Sequence, residues 1–85
     1  MSYIDHETSI TNTELDNMFK AKSIAMAIEK LDVYCIRPSR DRVTVWLVKG
    51  IDRNTNDYRD IVVSTVTAET RPATKDELLY GVTNI

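Results

Sequence analysis

Few side chains in this sequence could do nucleophilic or metal chemistry: His6 is the only histidine and Cys35 the only thiol. A zinc site needs three or four well-placed nitrogen or sulfur ligands, so no metal centre is expected. Cys35 sits within the apolar run VYCIRPS, where nothing adjacent in sequence would activate it, and it reads as a buried, inert thiol. Paired carboxylates offer acid–base chemistry, but Asp76 and Glu77 fall at a predicted helix N-terminus, where the macrodipole favours them. Asp57 and Asp60 flank a predicted turn, an ordinary place for aspartate. Phosphate-cradling loops need several glycines ahead of a helix, whereas Gly50 and Gly81 close a strand and a helix. The expectation is therefore a protein without catalytic residues, cofactor or small-molecule substrate, and not an enzyme.

Recognition chemistry is better represented. Tyr34 and Trp46 can share one sheet face with Arg42 close by, the kind of platform on which unstacked bases rest. Arg37, Arg40 and Arg42 surround one predicted hairpin turn, and Lys49, Arg53 and Arg59 surround the next. Such tips can hold carboxylates or phosphates. Asp41, Asp52, Asp57 and Asp60 are interleaved with them, however, and local neutralisation explains much of that charge.

The elements that must position these residues follow from punctuation and periodicity. Thr11 and Glu14 fit a capping box, with Ile10 and Leu15 at the staple positions, so a helix of about 20 residues is predicted over 11–31. The period then changes, and VYCIRPS, RVTVWLVKG and YRDIVVSTVTA read as three strands. Ser39, Arg40 and Asp41 form a tight link between the first two, and DRNTND (52–57) a second, which makes an antiparallel meander the simplest topology. ETRPA (69–73) breaks the pattern. Thr74 and Glu77 then make a second capping box ahead of Leu78, Leu79 and Tyr80, and Gly81 stops that helix. The predicted fold is α+β: a long N-terminal helix packed on a three-stranded antiparallel meander, followed by a short C-terminal helix (α-β-β-β-α). Residues 1–10 read as an N-terminal arm and 11–85 as a single domain.

Composition agrees. Eighty-five residues provide one core, and a charged fraction of 28% with two glycines and two prolines is that of a chain that folds. One cysteine rules out an intramolecular disulfide, and the sequence shows neither a leader-like start nor a membrane-length apolar run, so a cytoplasmic protein without membrane contact is expected. A net charge of −2 supplies no global attraction to nucleic acid.

Apolar surface is in excess. One strand face would collect Val33, Cys35, Val43, Val45, Leu47, Ile61 and Val63; the other, Tyr34, Ile36, Trp46, Val48, Val62 and Val66. The second face must then be covered by the C-terminal helix, the N-terminal arm or another molecule. On the long helix Ala21, Ile24, Ala25, Ile28 and Leu31 oppose Leu15, Phe19 and Met26, with Met18 at the border. Two surplus surfaces point to a non-catalytic protein–protein interaction module. It could be a small adaptor or inhibitor, of the kind carried by compact viral or plasmid genomes, that binds a larger protein or its own copy as a homodimer. The expected partner-binding residues are Leu15, Phe19, Met26, Tyr34 and Trp46, with Arg37, Arg40 and Arg42 at the rim. The alternatives are a single-stranded nucleic-acid binder and a self-assembling structural subunit whose strand edges pair.

Overall fold

The structure is a computed structural model that describes residues 12–40 and 43–82. Helix α1 spans Asn12–Ile28, followed by strands β1 (Leu31–Pro38), β2 (Val45–Asp52), β3 (Tyr58–Ser64) and β4 (Thr70–Pro72), and by helix α2 (Lys75–Tyr80). The strands form one antiparallel sheet in the order β1-β2-β3-β4. The predicted α+β fold is thus the observed one, with a short fourth strand added where the sequence read as a break. Pro72 fits there because β4 lies at the sheet edge, where a missing backbone donor is tolerated.

The long helix ends earlier than its apolar periodicity suggested. Glu29 makes a last helical bond to the Ala25 carbonyl, and Lys30 turns into the left-handed region at φ 57°. Leu31 therefore opens β1 instead of closing α1. The proposed Thr11 cap and Ile10 staple lie outside the described residues. The second capping box is present as read: Glu77 N–H donates to the Thr74 hydroxyl, and Thr74 N–H donates to the Glu77 carboxylate.

Both sheet faces are covered. On the first, Ala21 and Ala25 stand one helical turn apart and fully buried; their small side chains let α1 lie close over Leu31, Trp46, Val48, Ile61 and Val63. On the second, Val45, Leu47 and Val62 are sealed by Val82, with Ala73 and Leu78 packed beside them. The C-terminal segment thus supplies the cover that the sequence required. Arg40 N–H donates to the Val82 carbonyl and ties that segment to the β1–β2 connection.

The composition of the two faces differs from the sequence reading in three respects. Val48 pairs with Ile61 and Trp46 with Val63, so even-numbered β2 residues share a face with odd-numbered β3 residues. In β1 the register slips between Val33 and Cys35, a β-bulge that carries one extra residue. Val33, opposite Gly50, and Ile36, opposite Val48, consequently lie on the same face, the one under α1. Val66 also leaves the sheet: β3 stops at Ser64, whose hydroxyl accepts the amides of Val66 and Thr67, and Ala68 at φ 63° completes the turn.

Candidate protein-interaction site

The strongest polar clusters are structural ties. Arg59 bridges Glu29 (Nη2 to Oε1, 2.7 Å) and Asp52 (Nη1 to Oδ2, 3.1 Å), and the Thr70 hydroxyl donates to the other Glu29 oxygen. The Thr70 and Arg59 donors hold the Glu29 carboxyl below its ordinary pKa. The backbone amides of Asn54 and Thr55, together with Arg59, do the same for Asp52. This network pins the C-terminal end of α1 to β3 and β4. Arg71 grips Glu77 with both guanidinium nitrogens, one at 2.7 Å, and pulls its carboxyl down to about 2. Groups locked in their charged forms are poorly suited to moving protons at neutral pH. Among the described residues no three His, Cys, Asp or Glu side chains gather where they could hold a metal ion.

A different arrangement occupies the β1 side. As the outermost strand among the described residues, β1 leaves one row of main-chain N–H and C=O groups without a neighbouring strand there. Alongside it, Met18, Phe19 and Lys22 of α1 and residues 33–36 of β1 line an open groove of about 180 Å³. Phe19 is 54% exposed and Tyr34 58% exposed, far more than large rings buried in a core. Tyr34 stands edge-on to the ring of Tyr58, centroids 6.0 Å apart, on the face opposite α1. Arg37 and Arg40 are exposed and make no ion pair among the described residues, whereas Arg53 reaches Asp32 at 3.2 Å and Lys49 reaches Asp60 at 4.0 Å.

The predicted partner-binding residues therefore separate into groups. Phe19 and Tyr34 both line the groove, although the Tyr34 ring turns to Tyr58 on the far face; Arg37 follows on the same strand, and Leu15 lies half-buried one turn before Phe19. Met26 is exposed further along α1, beyond the groove, and Arg40 lies in the β1–β2 connection. Trp46 must be corrected: it is 2% exposed, packed under α1, with Nε1–H donating to the Val43 carbonyl at 2.7 Å. It is a core residue, and its separation from Tyr34 onto the other face removes the base-stacking platform read from the sequence. Arg42 lies outside the described residues. Sequence reasoning missed Tyr58, whose approach to Tyr34 depends on register across three strands, and treated Lys22 as an interruption although it lines the groove.

Compared with known proteins, the chain matches no family model, and no curated protein or solved structure shows significant similarity to it. No helix among the described residues is long and apolar enough to cross a membrane.

Proposed function

We propose that this protein is a non-catalytic protein-binding module, an accessory or inhibitor-type protein, that docks a polypeptide along β1 and the adjoining α1 groove. The observation that carries this reading is the open eight-residue edge strand flanked by the exposed Phe19 and Tyr34 rings. Main-chain pairing at such an edge supplies affinity, and the apolar groove beside it supplies selectivity for side chains. Exposed arginines beside an aromatic centre are the usual composition of an interface rim.

Site-specific photo-cross-linking tests it. A photoreactive phenylalanine analogue at Phe19 is expected to form adducts with polypeptide, while the same group at Leu79, equally apolar and 74% exposed on α2, is not. Equal labelling at both positions would remove the edge from consideration. Adducts with nucleic acid at Phe19 would replace the reading with that of a single-stranded nucleic-acid binder.

A further inference from the structure

We infer that the occupant of the β1 edge is β1 of a second copy of this chain, paired antiparallel about a two-fold axis between Tyr34 and Cys35. The inference rests on the docking reading above and names its partner. Two properties of β1 support it.

The first is the bulge. An ordinary antiparallel pair brings together residues on the same face of the sheet, so a two-fold through a regular strand pairs residues of like parity. In β1 the extra residue reverses parity half-way. Leu31, Val33, Ile36 and Pro38 lie on the α1 face, and Asp32, Cys35 and Arg37 on the other, as their β2 partners show. A dyad at the centre of Leu31–Pro38 pairs Leu31 with Pro38, Asp32 with Arg37 and Val33 with Ile36 of the other copy. Every one of these pairs is face-matched. A regular strand offered to this edge would meet two residues opposite one at the bulge. A second β1 carries the same extra residue at the symmetry-related position, so the two strands stay in step along their whole length.

The second is charge. The same register sets Asp32 of each copy against Arg37 of the other, twice by symmetry, and cross-strand pairs of opposite charge favour a register where like charges oppose it. Arg37 has no ion-pair partner among the described residues. Asp32 keeps a side chain 71% exposed despite its contact with Arg53. On the α1 side the groove with Met18 and Phe19 borders the same edge, so the dyad would shield from water the apolar surface that one chain leaves open.

The test uses charge reversal in the full chain, with folding followed by circular dichroism and mass by light scattering. Wild type is expected at twice 9.7 kDa. Asp32→Lys alone and Arg37→Glu alone each place like charges opposite one another at both ends, and each is expected to weaken the dimer at least tenfold. Mixed in equal amounts, the two variants restore opposite charges at both ends, and a heterodimer is expected to form. Cys35 gives a readout without substitution. The dyad sets it beside its symmetry mate on one face, with Cα atoms about 5.6–6.4 Å apart from ordinary strand spacings, within the disulfide range. Mild oxidation with copper–phenanthroline should link the two chains through it. A wild type that stays at 9.7 kDa at several hundred micromolar, a mixture that stays monomeric, or a dimer indifferent to both reversals would overturn the second-copy assignment. In any of those cases, Phe19 adducts with a different polypeptide would leave the docking reading standing, whereas their absence would remove both.

Discussion

The two edges of the sheet receive opposite treatment. At one, β4 is three residues long, contains Pro72, and is held by Thr70 on Glu29 and by Arg71 on Glu77. At the other, β1 runs for eight residues with Phe19, Tyr34 and Arg37 exposed beside it. Shortness, proline and tied-down charge are recognised ways to keep a sheet edge from recruiting another strand. All three meet within the three residues of β4, whereas the eight-residue β1 has a proline only at its last position, one exposed ion pair from Asp32 to Arg53, and its bulge. On the docking reading proposed above, the contrast locates binding capacity at β1, the edge that the domain closes less completely.

The largest expected effect separates the core beneath that edge from the edge itself. Trp46→Ala should cost about 3–5 kcal/mol, a large part of the roughly 5–10 kcal/mol available to a domain of this size, because a 2%-exposed ring cannot be removed without leaving a cavity. Urea unfolding measures it, and a loss below about 1 kcal/mol would place Trp46 at the surface. Gly50→Ala comes next. A Cβ there would lie 2.9 Å from the Asp32 carbonyl oxygen and 3.0 Å from Leu31 Cβ, both at the start of β1. Overpacking of this kind typically costs about 1–3 kcal/mol. Faster amide exchange is expected in β1 first and in β4 last; uniform acceleration would mean that the two edges are not independent.

How much of this was legible in the sequence depends on the range of the interaction involved. The α2 capping box and the turn at 52–57 are encoded within a few residues, and both were readable: Asp52 accepts the amides of Asn54 and Thr55 as a turn aspartate should. Face assignment was not readable, because it depends on the parity of pairing between strands and on one inserted residue in β1, and neither leaves a local mark. Trp46 changed from candidate anchor to core for that reason. An amphipathic strand shows which residues alternate, while the sheet decides which set meets the helix. Lys30 shows the same limit at the end of α1, where a lysine at φ 57° does what a glycine would have announced. At the candidate site, Phe19 and Tyr34 could be listed from the sequence, but that both border one α1–β1 groove could not.

A smaller effect examines how firmly β4 is closed. Glu77 has its folded-state pKa lowered from 4.5 to about 2, chiefly by the Arg71 hydrogen bonds. A lowered carboxylate pKa stabilises the fold fully above the unfolded value and progressively less as pH falls toward the folded one. Wild type should therefore exceed Glu77→Gln by about 1 kcal/mol at neutral pH, allowing for solvent screening at the sheet edge, with the two converging between pH 4.5 and about 2. Thermal melts across that range follow the convergence. A constant gap down to pH 2 would mean that the helix cap, and not the charge on Glu77, is what Gln disturbs.

The smallest expected change in stability carries the most weight for the open edge. Phe19 lies one turn after the half-buried Leu15 and beside the β1 groove, yet more than half of its surface is in water within a single chain. Burying a phenylalanine completely is worth about 1.5–3 kcal/mol, so Phe19→Ala in dilute, dissociated protein should cost less than about 1 kcal/mol, with an unchanged denaturant slope. Raising the protein concentration should separate the two proteins: wild type gains stability by mass action as its edge is occupied, and the variant does not. A loss of several kcal/mol at high dilution would instead make Phe19 part of the core, and the second apolar stripe of α1 would belong to folding and not to recognition. Equal concentration dependence in the two proteins would move the contact away from α1 and leave it to the β1 strand alone.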